Sequence, residues 1–175
     1  MSNDVEIRQS LPADIHLIEQ LYPDAFPDED LLPLVRELLR EDQHVLSLVA
    51  NLDRTLAGHI IFTRCGVDGR TDQLALLGPL AVAPNMQRRG IGSALVREGL
   101  QQLRAEGILQ VCVLGDPAYY GRFRFAPEYG VMPPYPLPEA WRTAWQSICL
   151  LDGQPALQGT LSVPPPWRHE ALWAP

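Results

Sequence analysis

Residues 80–93, LAVAPNMQRRGIGS, decide how this chain is interpreted. The stretch begins in apolar residues typical of a buried strand, crosses a short loop and enters a segment with helical periodicity. The first turn of a helix presents backbone N–H groups without intrahelical acceptors and the positive end of the helix dipole. Gly90 and Gly92 remove side chains that would keep an anion from this backbone, and Arg88 and Arg89 add positive charge. The stretch therefore indicates a phosphate or pyrophosphate site.

Other interpretations of these glycines stay open at this point. The glycines could simply allow the helix to pack closely on a sheet, with the two arginines in solvent. A dinucleotide site of the GxGxxG type is disfavoured, because Leu95 stands where the third glycine belongs. A P-loop is excluded, because the chain has fourteen arginines and no lysine.

The residues on either side of this stretch predict a β-α-β unit. Residues 73–82 form a long apolar run typical of a central strand, and Pro79 within it predicts a bulge. Residues 90–106 have one apolar face and end at Gly107, which favours the left-handed conformation of a helix terminus. The apolar run 108–114 follows at a crossover's length, so it predicts a strand parallel to the first.

The remaining elements are predicted from apolar periodicity and turn residues. They are, in chain order, a strand at 5–8, helices at 11–21 and 31–39, a hairpin of strands at 44–50 and 56–64, a weak helix at 138–146, and strands near 147–151 and 157–163. The last third of the chain is rich in proline and shows no internal repeat. Together these elements predict a mixed α/β architecture.

Composition restricts the class of protein. A length of 175 residues with 46% hydrophobic residues predicts one domain with a real core. The net charge of -7 opposes any general affinity for nucleic acid or anionic membranes. No apolar run is long enough to span a bilayer, and residues 1–9 lack the apolar region of a signal peptide. The three cysteines have no metal-binding or disulfide spacing, so we expect no metal site and a reducing cytoplasm.

The chain resembles the GCN5-related N-acetyltransferase (GNAT) family. The acetyl-CoA signature of that family is Q/R-x-x-G-x-G/A, and Gln87, Gly90 and Gly92 match it directly after the apolar strand. The resemblance covers roughly residues 5–127. Within the family it is nearest the YhbS-like group of bacterial predicted N-acetyltransferases, because residues 114–123 read LGDPAYYGRF.

The resemblance implies an α/β (α+β) GNAT acyl-CoA N-acyltransferase fold. A central mixed sheet of six to seven strands, with parallel strands splayed around the signature helix, would be flanked by about four helices. The single domain would cover residues 1–175, with a core at about 5–127 and a proline-rich C-terminal part at 128–175. Acetyl-CoA would be the co-substrate. The implied cofactor-binding residues are Leu80, Ala81, Val82, Gln87, Arg88, Arg89, Gly90, Ile91, Gly92 and Ser93.

A proton donor is also implied by the resemblance. Residues 119–125, YYGRFRF, are similar to the FYxxxGF segment of the family, which places Tyr120 where a tyrosine protonates the departing thiolate. Arg124 stands where the family usually has glycine. Tyr119 could take the place of its neighbour, and both tyrosines could serve packing alone.

No general base is evident from the sequence. A lysine-like amine is almost entirely protonated at neutral pH, so attack on a thioester requires that a proton be lost. The strand positions where many relatives carry a carboxylate are Leu76, Leu77 and Gly78. Other candidates, each also explained as a solvated or capping residue, are Glu29, Asp30, His59 and Asp72. Cys112 lies between valines, which disfavours a covalent acetyl-enzyme and favours direct transfer.

We therefore expect an N-acetyltransferase that moves the acetyl group of acetyl-CoA to a primary amine of a small molecule or protein in a ternary complex. One alternative is a non-catalytic acyl-CoA-binding sensor or regulatory module. Another is an enzyme that binds a different nucleotide cofactor at the same glycines. The sequence leaves open the acceptor, the role of the proline-rich part and whether the chain forms a homodimer.

Overall fold

The computed structural model describes residues 4–41 and 43–174, and the side chains of residues 71 and 72 lie outside that description. The helices are α1 (Ile15–Ala25), α2 (Leu32–Arg40), α3 (Ile91–Glu106) and α4 (Pro117–Tyr120). The strands are β1 (Val5–Gln9), β2 (Val45–Leu52), β3 (Thr55–Val67), β4 (Arg70–Val82), β5 (Gln110–Leu114), β6 (Ala126–Pro127), β7 (Val131–Met132), β8 (Trp145–Cys149) and β9 (Gly159–Ser162).

These elements form two compact units. The first contains Met1–Phe62 and Gly78–Gln101, and the second contains Thr63–Leu77 and Gln102–Pro175. Strands β3 and β4 and helix α3 each contribute residues to both units. The prediction of one domain over the whole chain stays a prediction.

The strands of the first unit follow the order β1-β2-β3-β4. Strand β1 is antiparallel to β2, in a register that runs from Val5 opposite Leu52 to Gln9 opposite Leu48. Asp53 and Arg54 connect β2 to β3 with φ angles of 50° and 64°. A two-residue turn with positive φ at both positions matches the right-handed twist of a hairpin. The predicted hairpin is therefore confirmed.

Helix α3 lies close to β3 in this unit because two glycines remove side chains from the contact. A Cβ added at Gly58 would lie 3.0 Å from side-chain atoms of Ile91 and Leu95. A Cβ added at Gly99 would overlap the ring of Phe62. Ile91, Leu95 and Phe62 are all buried. The contact fixes the helix against the strand over its first two to three turns.

The second unit contains the parallel pair that the sequence predicts. Residues Leu74 to Leu77 of β4 pair with Gln110 to Val113 of β5. Strand β8 is antiparallel to β5, and β9 is antiparallel to the end of β3. The described residues form nine strands, more than the predicted six to seven, and β6 and β7 contain only two residues each. Strands this short have no periodicity that a sequence could reveal.

The structure differs from the prediction most clearly near Trp145 and at Pro79. The helix predicted at 138–146 is a 3-10 helix over Glu139–Ala144, and the following strand begins at Trp145, earlier than predicted. Trp145 belongs to the strand because it pairs with Leu114 of β5, and its fully buried indole also donates to the carbonyl of Val131. The predicted bulge at Pro79 does not break β4, which continues to Val82, although Gly78 has a φ of 149°.

Replacing Gly99 by alanine tests the helix contact. Alanine has the higher helix propensity, but its methyl group would meet the Phe62 ring, so we expect Gly99→Ala to lower the free energy of unfolding by about 1–3 kcal/mol. Gly121→Ala is the matched control, because Gly121 has a helical φ of -57° and no atom lies within 4 Å of the position that an alanine Cβ would occupy. Urea unfolding measures both, and a Gly99→Ala variant as stable as the wild type would contradict the contact.

Candidate functional site

The predicted anion site lies at the start of α3. The carbonyl of Gly90 accepts a hydrogen bond from the N–H of Ala94 at 3.0 Å, so the helical hydrogen bonds begin at Gly90. Gly90 has a φ of 78° and no atom within 4 Å of the position that a Cβ would occupy. A side chain here would be strained and would fill the space in front of the first helical turn. The local geometry therefore suits an anion that approaches the backbone closely.

The loop before the helix is held to the strand that precedes it. The Gln87 side-chain amide donates to the carbonyl of Val82 at 3.3 Å, and the N–H of Ala83 donates to the carbonyl of Ala57 on β3 at 2.8 Å. Arg88 has a φ of 65°, and both Arg88 and Arg89 are exposed. The hydrogen bond from Gln87 to Val82 therefore holds the loop against the end of β4.

All ten residues predicted to bind the cofactor lie in the first unit. They follow the chain from the end of β4, where Ala81 is buried and its neighbours are half-buried, through the exposed loop to the first turn of α3. Tyr120, the predicted proton donor, belongs to the second unit.

Tyr120 ends the short helix α4 and is mostly buried. Its ring packs edge-to-face against Tyr119 and Phe125, at centroid distances of 5.0 and 5.6 Å. Gly115 lies against the ring, because a Cβ there would overlap the Tyr120 Cε2. Burial raises the pKa of the Tyr120 hydroxyl well above its usual value of 10, with a smaller contribution from Tyr119. The phenol is therefore protonated at neutral pH, as a proton donor must be.

Two residues shape the chain on either side of this tyrosine. Arg124, which stands where the resemblance implies a glycine, has a φ of 75°, so its backbone adopts the left-handed conformation that glycine adopts readily. Asp116 caps α4, since its carboxylate accepts a hydrogen bond from the N–H of Ala118 at 2.9 Å.

The buried thiols do not suit nucleophilic chemistry. Cys112 has no exposed surface, and burial together with the charge of Glu128 raises the pKa of its thiol. Burial raises the pKa of Cys65 to about 12. A thiol must ionise to attack a thioester. The expectation of direct transfer without an acetyl-cysteine is supported by this burial.

Glu29 and Asp30, two of the candidate bases, line a cavity in the segment between α1 and α2. The cavity has a volume of about 330 Å³. Its other walls include Tyr22, Phe26 and Asp28. The rings of Tyr22 and Phe26 are stacked, with centroids 6.2 Å apart. The combination of three carboxylates with aromatic rings suits a cation that has an apolar stem. Asp72, another candidate base, lies outside the described side chains.

His59 is fully buried in β3 and contacts two hydroxyl groups. Its Nδ1 lies 2.8 Å from the Tyr22 hydroxyl, and its Nε2 lies 2.8 Å from the Ser47 hydroxyl. Burial lowers the pKa of His59 to about 3, and the negative charge of Asp14 opposes that shift. A neutral imidazole with no exposed surface cannot itself contact an acceptor. Sequence reasoning singled out His59 but missed both partners, which lie on α1 and β2.

A further cavity belongs to the proline-rich part of the second unit. It has a volume of about 650 Å³ and is lined mainly by residues 132–139 with Arg142 and Thr160. Arg142 also lies over the ring of the exposed Tyr129, at 5.4 Å from its centroid.

In the described part of the chain, no three His, Cys, Asp or Glu side chains cluster as a metal site would require. No helix among residues 4–41 and 43–174 has the length and apolar content to cross a membrane.

Comparison with known proteins identifies similar sequences. A model of the acetyltransferase (GNAT) family matches residues 15–122. The chain is 36% identical over 146 residues to the uncharacterized N-acetyltransferase YjhQ of Escherichia coli K12, and the match covers 79% of this chain and 81% of the relative. It is 35% identical over 120 residues to the uncharacterized N-acetyltransferase YhbS of the same strain, and that match covers 68% of this chain and 72% of the relative.

Two solved structures are similar over nearly the whole chain. The crystal structure of E. coli YhbS in complex with CoA gives a TM-score of 0.84 at 29% identity and covers 97% of this chain and 94% of that one. A GNAT family acetyltransferase from Brucella melitensis in complex with acetyl-CoA gives a TM-score of 0.75 at 30% identity, with 95% and 99% covered.

The buried His59 predicts how stability depends on pH. Its folded pKa lies below the unfolded value of about 6.5, so the unfolded chain binds the extra proton as the pH falls. Stability from this residue is therefore complete above pH 6.5 and is lost toward the folded pKa. We expect the free energy of unfolding to fall by about 2 kcal/mol between pH 7 and pH 5. Urea unfolding at the two pH values should show that His59→Gln removes most of this fall in the free energy of unfolding, while the other three histidines, His16, His44 and His169, are unchanged in the variant. The same fall in the variant as in the wild type would contradict a buried, neutral His59.

Proposed function

Because the chain belongs to the acetyltransferase (GNAT) family, we propose that it transfers the acetyl group of acetyl-CoA to a primary amine by direct attack in a ternary complex. The family membership confirms the predicted resemblance, the α/β fold and the N-acetyltransferase class. The complexes of the E. coli and Brucella proteins with CoA and acetyl-CoA support acetyl-CoA as the co-substrate of this chain. The observation that carries the proposal is the open helix start at Gly90.

In this proposal the backbone binds most of the co-substrate. Backbone groups of Leu80 and Val82 pair with the pantetheine arm, and the amides from Arg88 to Ser93 bind the pyrophosphate. The chain carries a net charge of -7, so a polyanion must be attracted locally. Arg88 and Arg89 supply that local positive charge beside the helix dipole. Ala81, Gln87, Ile91 and Gly92 shape the strand end, the loop and the first helical turn.

Tyr120 is the proton donor in this proposal. The thiolate of CoA leaves when the amine attacks, and a protonated phenol can supply the proton that it takes up. The Tyr120 phenol is protonated at neutral pH, as any phenol is, and because burial raises its pKa it releases the proton only as the basic thiolate forms beside it. Its ring is fixed by Gly115, Tyr119 and Phe125, so the hydroxyl has a defined position.

The acceptor amine occupies the cavity lined by Glu29, Asp30 and Tyr22. Its carboxylates suit the ammonium form in which an alkylamine arrives at neutral pH. Tyr22 and Phe26 provide the apolar wall for the carbon chain. A small aliphatic amine or a lysine side chain fits this chemistry better than an anionic acceptor. The free thiols of Cys65, Cys112 and Cys149 suit a cytoplasmic location.

A charge placed at Gly90 tests the pyrophosphate site. Gly90→Glu puts a carboxylate before the helix start, so we expect the dissociation constant for acetyl-CoA to rise about a hundredfold or more. Gly107→Glu is the matched control, because Gly107 also has a positive φ, of 89°, and no atom lies within 4 Å of the position that its Cβ would occupy. Gly107 follows the C-terminal end of α3, so its carboxylate would lie far from the helix start. Isothermal titration compares the two folded variants. Equal affinity in Gly90→Glu and Gly107→Glu would contradict the assignment.

Removal of the Tyr120 hydroxyl tests the reaction itself. In a thiol-release assay with acetyl-CoA and a panel of primary amines, we expect turnover by the wild type and a loss of about 10²-fold or more in kcat for Tyr120→Phe. Affinity for acetyl-CoA should stay the same, because the phenyl ring keeps its packing. Tyr119→Phe is the control for the neighbouring hydroxyl. Tight acetyl-CoA binding without turnover on any amine would favour an acyl-CoA sensor instead.

A further inference from the structure

The proline-rich part of the second unit contains a cavity to which the proposed acetyl transfer assigns no role. Its walls come from the segment 132–139 together with Arg142 and Thr160, all of which belong to the second unit. Its volume of about 650 Å³ lies within the range of small-molecule sites. The polar groups that border the cavity and its apolar walls together indicate what kind of molecule fits it.

The apolar walls of the cavity are preformed. Four of the lining residues are prolines, whose rings fix φ, and the backbone at Pro138 is extended, with a φ of -56° and a ψ of 146°. Leu137, the ring of Tyr135 and the exposed Met132 add further apolar surface. A wall that is already rigid loses little conformational entropy when a ligand packs against it. The cavity therefore suits a ligand with an apolar body.

Two opposite charges border this cavity without pairing with each other. Glu139 and Arg142 lie three residues apart in the 3-10 helix over Glu139–Ala144, and side chains at this spacing are eclipsed in such a helix. Neither side chain forms an ion pair with any residue that the structure describes. A carboxylate and a guanidinium are therefore both available to a ligand.

The Arg142 guanidinium is held in place by an aromatic ring. It lies over the ring of Tyr129, at 5.4 Å from the centroid. This contact positions the cation but offers no oxygen acceptor, so the N–H groups remain available to a carboxylate. Tyr135 and Thr160 also line the cavity, and their hydroxyl groups form no hydrogen bond with another residue in the described part of the chain.

A ligand that satisfies both charges carries an ammonium and a carboxylate close together. Residues three apart in a 3-10 helix are separated by about 6 Å along its axis, so the two ligand charges must lie only a few bonds apart. A simple carboxylate would be repelled by Glu139, and a simple amine would be repelled by Arg142. An α-amino acid avoids both repulsions, and the apolar walls favour one with a large apolar side chain.

We propose that this cavity binds a free α-amino acid with a large apolar side chain. Arg142 binds the carboxylate of the ligand, Glu139 binds its ammonium group, and the proline-rich wall packs against its side chain. The net charge of -7 disfavours a purely anionic ligand, whereas a zwitterion carries no net charge. This binding site goes beyond the proposed acetyl transfer and does not depend on it, since the ligand binds in the second unit without acetyl-CoA.

The deciding experiment is an NMR titration of the full chain without acetyl-CoA. We expect L-phenylalanine to bind at least about tenfold more tightly than phenylpropanoate, phenethylamine or glycine, each of which lacks one of the three recognised groups. Equal affinity for L-phenylalanine and any of these three analogues would overturn the proposal. The absence of binding of both L-phenylalanine and L-methionine up to about 10 mM would also overturn it.

Two charge variants assign the binding to this cavity. Arg142→Met keeps most of the apolar stem, and we expect it to weaken L-phenylalanine binding about tenfold or more. Glu139→Gln should weaken L-phenylalanine binding but strengthen phenylpropanoate binding, a reversal that partial unfolding would not produce. Arg104→Met and Glu170→Gln are the matched controls, because they remove the same charges from exposed positions of the second unit outside the cavity.

The remaining outcomes count against the proposal. Equal affinity for L-phenylalanine in Arg142→Met and Arg104→Met would place the bound amino acid elsewhere, as in the cavity proposed for the acceptor. A dimer in light scattering that Arg142→Met dissociates would assign this surface to a second copy of the chain. Failure of the acetyl transfer itself is recognised separately, because the thiol-release assay contains no free amino acid.

Discussion

The close contact between α3 and β3 is the constraint on which the rest of the first unit depends. Gly58 lets the helix approach the strand near Ile91 and Leu95, and Gly99 leaves room for the Phe62 ring. Because a helix is rigid over these turns, this contact also sets where its first N–H groups lie. The loop from Pro84 to Gly90 then has a fixed distance to cross between the end of β4 and the helix. The proposed anion site depends on that packing and on Gly90, where a side chain would be strained and would fill the space before the first helical turn.

The parts of the fold with a clear period could be predicted from the sequence. The amphipathic helix predicted at 90–106, the hairpin predicted from strands at 44–50 and 56–64 and the parallel pair of β4 with β5 are all present, because local pattern and tertiary structure agree there. The proline-rich part could not be predicted in the same way. Its strands β6 and β7 are two residues long, and the start of β8 at Trp145 depends on pairing with Leu114 of β5, which is distant in sequence.

The candidate site, like the fold, was only partly predictable from the sequence. Gln87, Gly90 and Gly92 lie within six residues of one another, so a short motif was sufficient to predict them. The hydrogen-bonded surroundings of His59 could not be predicted from the sequence. Tyr22, Ser47 and Ser10 lie on three other segments, and none of them stands out in its local sequence pattern. Burial also keeps the His59 imidazole neutral well below its usual pKa, and it raises the pKa of the Tyr120 phenol further above neutral pH. An acidic protein can thus combine a local site for an anionic co-substrate with an acidic cavity for a cationic acceptor.

Thermal unfolding with acetyl-CoA, CoA, ATP and NAD in parallel tests the central claim most directly. A ligand at about 100 times its dissociation constant adds roughly 2.7 kcal/mol to the stability of the folded state. For a chain of this size that corresponds to a rise in Tm of about 5 to 10 °C. The account predicts such a rise with acetyl-CoA and CoA and none with ATP or NAD. No rise with the CoA species at saturating concentration, or an equal rise with all four ligands, would contradict a CoA site at the start of α3.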